Sequence, residues 1–267
     1  MNRLARLSVA LLAAVLCAAP ANEQQSPLPH RELMLTPDAI HISLFYQPTR
    51  VTVNGELEQG ADVIVVARGP HTEETFNKKV RVGPLWISSG KVHVSRAPSL
   101  FLVFSSRPVK EFLSRDAIDR YELDETAVRR RMQITVEGSP LPASVATENY
   151  HTLKVEEGIY QTHIGAIEFA GAEGSTRTYQ VSFDWPKLAP PGDYEVSAYE
   201  CRDGIIISES EAQLPVRLTG SAAEIRGLAM NRSALYGALA VLFALAAGFL
   251  IDFLGQRLFG VRTRKAH

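Results

Sequence analysis

Cysteine is almost absent from this 267-residue chain: Cys17 and Cys201 are the only two. Cys17 falls inside an N-terminal leader, so a processed chain keeps one thiol and forms no internal disulfide. Stability must then come from a buried core. This excludes a small disulfide-stapled module and favours a bacterial envelope protein. An excess of one charge is missing too: Lys and Arg number 28 against 29 Asp and Glu. Nucleic acid binding therefore has no electrostatic basis. The seven histidines form no His-x-His, His-x-x-x-His or Cys–His pair at ligand spacing, and no Gly-x-Ser-x-Gly elbow occurs. No catalytic residue, metal site or cofactor site can be assigned, and the chain reads as a protein that is not an enzyme.

Long hydrophobic runs are scarce as well, and the two present carry the strongest information. Ser233 to Leu254 is apolar except near its end, at Asp252. As a helix this stretch is about 33 Å long, enough to cross a hydrocarbon core of about 30 Å. Leu7 to Leu16 is too short to span. With Arg3 and Arg6 before it and Ala19-Pro20-Ala21 after it, residues 1–21 read as a signal peptide. Lipidation of Cys17 is disfavoured because bulky Leu16 precedes it. A cleaved leader makes 233–254 a stop-transfer anchor. Arg257, Arg262, Arg264 and Lys265 follow the span, against Arg226 and Arg232 before it. This bias puts the basic tail, 255–267, in the cytoplasm. The expectation is a single-pass inner-membrane protein with residues 22–220 as a periplasmic domain and 221–232 as a juxtamembrane linker.

Between the leader and the span, period-two alternation dominates. Ile40 and Ile42, Val80 and Val82, and Val92 and Val94 mark half-buried strands. Ser89-Gly90 is predicted as the hairpin turn between the last two pairs. Val63 to Ala67 and Leu100 to Phe104 are continuous apolar runs, predicted to be buried on both faces. Pro108 is placed as a first-turn helix residue, and helical spacing follows through Phe112, Leu113 and Ile118. A second short helix is expected over 124–132. Residues 145–157 are ambiguous, with Gly158 as a helix terminator. Alternation returns at Tyr179, Val181 and Phe183, and again at Tyr194, Val196 and Ala198. Asp203-Gly204 is the strongest hairpin signal. The fold class is mainly β: a β-sandwich-like domain with a short helical insertion at about 108–157, then one transmembrane helix. One sandwich and two packed halves both fit the pattern.

Several short stretches occur together in a fixed order. They are Val65-Val66-Ala67-Arg68-Gly69-Pro70, Val82-Gly83-Pro84-Leu85-Trp86-Ile87, Phe104-Ser105-Ser106-Arg107-Pro108, Gly158-Ile159-Tyr160, Pro191-Gly192-Asp193-Tyr194, Arg202-Asp203-Gly204 and Ala234-Leu235-Tyr236-Gly237. On these the chain resembles the putative transmembrane protein family described mainly from alphaproteobacteria, from about residue 37 to 255. The resemblance implies a leader, an extracytoplasmic domain and one C-terminal span. It implies a sulfite-exporter-like membrane protein as a transport partner, and it carries no catalytic residues.

Candidate chemistry is thin. Tyr236, Ala240, Ala244, Gly248 and Asp252 recur every four residues on one side of the span. Small residues there let a second helix approach closely, and an acid within a span faces protein or water. A helix–helix interface with itself or with a larger membrane protein is one reading. A chance stripe in an alanine-rich anchor within the lipid bilayer, with Asp252 wetted at the surface, is the other. Lys78, Lys79, Arg81, Lys91 and Arg96, joined by Arg129 to Arg131, could form a cationic face for an anionic ligand or a lipid headgroup, and a periplasmic sensor or carrier that captures a small anion in a sandwich cleft is the alternative function. Lysines that guard a strand edge explain the same residues. Cys201 beside a hairpin turn, with Arg202 to lower its pKa, is the remaining enzymatic alternative, against a structural thiol. Glu73, Glu74, Glu156 and Glu157 read as solvated pairs.

Overall fold

The computed structural model describes residues 31–43, 48–82 and 84–259. The leader, Leu44, and the tail residues Arg262, Arg264 and Lys265 lie outside these.

Strands β1 (Met34–Thr36), β2 (Ile40–Ile42), β3 (Arg50–Glu58) and β4 (Asp62–Arg68) come first. The hairpin β5 (His71–Val82) and β6 (Leu85–Pro98) follows, then β7 (Phe101–Ser105). Helices α1 (Val109–Phe112), α2 (Arg115–Tyr121) and α3 (Glu125–Arg131) lead to β8 (Gln133–Glu137) and α4 (Ala143–Glu156). Strands β9 (Tyr160–Ile164), β10 (Glu168–Glu173), β11 (Thr176–Asp184), β12 (Gly192–Arg202) and β13 (Ile205–Leu218) complete the sheets. Helices α5 (Ser221–Asn231) and α6 (Ser233–Phe259) end the described chain.

The architecture is one sandwich with a side sheet. A four-stranded sheet, β1-β3-β11-β10, faces a six-stranded sheet, β2-β13-β12-β4-β7-β9. Phe104 of β7 stacks on Phe183 of β11 across the gap, with ring centroids 4.6 Å apart. The six-stranded sheet is covered on its other face too. Tyr199 of β12 meets Tyr121 of α2 edge to face at 5.5 Å, and Arg68 Nη2 donates to the carbonyls of Tyr121 and Glu122. Two covered faces explain why 63–67 and 100–104 are buried at every position.

The strand order follows the immunoglobulin plan: β1-β3-β11-β10 corresponds to A-B-E-D, and β13-β12-β4-β7 to G-F-C-C′. Tyr194 adds a matching corner, its hydroxyl donating to the Pro190 carbonyl just upstream. Two residues after that tyrosine, where antibody domains carry a cysteine, stands fully buried Val196. Apolar packing closes this sandwich. At the β12–β13 turn, Asp203 and Gly204 both take positive φ, 51° and 85°, the geometry of a type I′ hairpin.

Three expectations need correction. The β5–β6 hairpin closes at Val82↔Leu85, and Ser89-Gly90 lies inside β6. The register slips between Asn77 and Lys79, so Ser89 and Gly90 together oppose Lys78 as a bulge, with Gly90 at φ 119°. The segment 108–157 is not wholly helical either. It contains β8, which pairs with β6 to build the three-stranded side sheet β5-β6-β8. Helix α4 spans the ambiguous region and ends ahead of Gly158, at φ 69°. It packs on this sheet through Tyr150 and Phe76, 5.9 Å apart. Pro108 stands one residue before α1, not in its first turn, and its carbonyl accepts from the Glu111 N–H.

Candidate functional site

Helix α6 follows α5 after a single non-helical residue, Arg232 (φ −138°, ψ 55°). Its stretch Ser233–Gly255 is long and apolar enough to cross a membrane, and no residue of it is buried by the rest of the chain. Phe243 and Phe249 are 73% and 75% exposed. A helix apolar on every side and unburied is stable only in lipid.

The four-residue row Tyr236, Ala240, Ala244, Gly248 and Asp252 lies on this helix, exposed throughout. Each step overshoots a full turn by about 40°, so the row winds slowly around the helix rather than running straight. Rows of this inclination mesh with their like at a right-handed crossing. A methyl group added at Gly248 would meet nothing within 4 Å, so no described residue supplies a partner there.

The other residues singled out from sequence disperse. Cys201 is fully buried. Burial pushes its thiol up to about 12, and the charges of Asp62 and Glu200 add to the shift. Arg202 turns away, to Glu58 at 2.8 Å. A protonated, enclosed thiol is a poor nucleophile, and Cys201 is structural. The basic triplet is neutralised: Arg129 pairs with Glu148, Arg130 with Asp119, and Arg131 with Glu122. In the hairpin, Lys79, Arg81 and Lys91 are exposed, but Lys91 stands in register with Glu137. Lys78 instead donates to Ser139 Oγ at 3.0 Å. Lys79, Arg81 and Lys91 share the outer face of the hairpin, Lys78 points to the other face, and the triplet that was to join them is taken up in ion pairs. His41 is exposed on β2, His93 contacts Thr75, and His163 stacks on Phe104. Among the described residues, no three His, Cys, Asp or Glu side chains converge as metal ligands.

The glutamate pairs are split by their elements. Successive residues of a strand point to opposite faces, so Glu73 is exposed while Glu74 faces α4. There Lys154, only 8% exposed, places Nζ 3.2 Å from Glu74 and 3.3 Å from Glu157. Tyr150 OH reaches Glu74 at 3.5 Å, and burial raises the Tyr150 hydroxyl well above its ordinary value. A cavity of about 280 Å³ opens beside the triad against Ser99, Ile159 and Leu188. Every charge in it already has a partner within the chain, so the cluster works as a clamp between α4 and β5. Nothing in the local sequence marks Lys154, which meets Glu74 only through the fold.

A second cleft, about 420 Å³, lies between α5 and the end of the sandwich. Arg217 and Arg226 flank it, and Gly227 and Met230 of α5 form part of its wall.

Comparison with known proteins adds one decisive match. The model of a family described as "Putative transmembrane protein" aligns with residues 32–257. The chain belongs to this family. The match runs from before β1 into α6, so sandwich and span are one inherited unit in this transmembrane family member. No curated protein matches the chain. A solved structure of murine CRIg aligns at 10% identity, covering 72% of this chain and 100% of that one, with a TM-score of 0.23. A score that low supports no statement about fold or ligand.

Proposed function

We propose that this family member is a non-catalytic accessory protein of the bacterial inner membrane. The sandwich lies on the periplasmic side, and α6 docks against the helix of a second membrane protein. One observation carries this reading: a spanning helix with a row of small residues that no other described residue covers. Without a hydrophobic force between helices in lipid, close backbone approach at such rows supplies the packing energy. The partner suggested by the family resemblance is a sulfite-exporter-like transporter, and a second copy of this chain fits the same row.

Crosslinking of the intact protein in its native membrane tests the reading. A discrete adduct is expected, and the paired substitutions Ala244→Leu and Gly248→Leu should reduce its yield by about tenfold, equivalent to about 1.4 kcal/mol. An adduct of undiminished yield would sink the interface. A C-terminal fluorescent fusion should glow from the cytoplasm; a dark one beside an active periplasmic reporter reverses the orientation.

A further inference from the structure

The cleft between α5 and the sandwich has a chemistry that none of the preceding roles uses. It stands close to the membrane. Arg226 precedes the first residue of the span by about 10 Å of helix rise, and Met230 by about 4 Å. The headgroup layer on each side of a bilayer is roughly 5–8 Å deep. Arg232 alone separates α5 from the span, so Met230 stands at headgroup depth and Arg226 at the outer edge of that layer.

Charge and shape both suit one occupant. Arg217 is held by Asp193, so two arginines and one aspartate leave a net charge of +1 at the cleft. Arg226 is exposed and has no ion pair among the described residues. Glu224, two residues earlier, lies about 200° around the helix from it and so faces elsewhere. The walls beside the arginines are apolar: Val216 is fully buried, Leu218 half-buried, and Met230 is 76% exposed. A guanidinium is the preferred partner of a phosphate group.

We propose that this cleft takes the headgroup of a monoanionic phospholipid. The phosphodiester lies at Arg226, and the glycerol end lies along Met230 and Leu218. The site belongs to the bilayer surface whichever helix α6 meets, and it does not depend on the accessory reading.

The test uses the full chain, stripped of lipid in detergent and offered equal phosphatidylglycerol and phosphatidylcholine. Retained lipid is read by native mass spectrometry. The expected result is about fivefold preference for phosphatidylglycerol, the effect of one arginine near an anionic surface. Arg226→Gln should erase that preference. Gly227→Leu should erase it too, because a Cβ there meets nothing within 4 Å and a larger side chain fills the cleft without disturbing the fold. An unchanged melting temperature in both variants separates loss of the site from loss of structure. Equal retention of the two lipids by the parent protein overturns the proposal. So does a preference that survives Gly227→Leu, which would place the charge effect on the surface instead of in the cleft. A third arm measures hydrogen exchange over 214–231. Protection by phosphatidylglycerol but not by millimolar inorganic phosphate supports a lipid; equal protection by phosphate alone refutes it.

Discussion

Cys201 shows how completely burial governs a side chain's chemistry. Its thiol is raised because the charged form has no water around it. In the unfolded chain the same group returns to an ordinary value near 9. The folded state then binds its proton more tightly, so stability from this group is complete below about pH 9 and declines above it. Folded protein prepared without residues 1–21, and so without Cys17, should not react with a thiol reagent at pH 8, whereas the same chain denatured should take up one equivalent; labelling of the native protein within minutes would contradict this. Lys154 makes the opposite case. Replacing it by Met leaves Glu74 and Glu157 facing each other half-buried, at a cost of about 2 kcal/mol in a denaturant melt. Adding Glu74→Gln to Lys154→Met should recover part of that deficit; no recovery would show that packing, not charge, is what Lys154 supplies. The structural role of Cys201 was legible beforehand but its burial was not, and nothing marked Lys154. Glu73-Glu74 looks like a solvated pair until a strand turns the two apart, and Cys201 looks accessible until the sandwich closes over it.

Among the elements, legibility tracked how local the cause was. The β12–β13 hairpin was readable because Asp203-Gly204 adopts its positive φ values with little help from elsewhere. The two continuous apolar runs were readable as doubly covered strands. The β5–β6 turn was not, because Ser89-Gly90 carries the composition of a turn and the register of a bulge, and register belongs to the partner strand. β8 was missed for a related reason: five residues with two apolar positions become a strand only when β6 offers an edge. Gly90 sits where these features meet. A Cβ there would approach the Glu137 carbonyl to 2.5 Å at a φ of 119°. Gly90→Ala should therefore cost about 2 kcal/mol and speed hydrogen exchange in 133–137, leaving β12–β13 unchanged. Uniform loss of protection across all strands would show that the side sheet and the sandwich unfold together.

For the whole molecule, the division of labour is between a core and an anchor. The buried cluster runs from Leu33 to Val216 and includes no residue of α5 or α6. Residues 31–220 produced alone should thus fold as a soluble protein, with a melting temperature within about 5 °C of the intact chain in detergent; aggregation or a molten circular dichroism spectrum would show that the span contributes to the core. The sequence alone determined the membrane segment, its row of small residues, the mainly β class and the reliance on a core in place of disulfides. Each follows from composition or short-period pattern, which the chain carries without reference to its folded neighbours. Tertiary structure decided that there is one sandwich with a side sheet, that the arginine triplet is spent on internal pairs, that Lys154 is clamped between two glutamates, and that two arginines flank a cleft beside the span. Those depend on which distant residues are brought within a few ångströms, and that distance is set by strand register and packing.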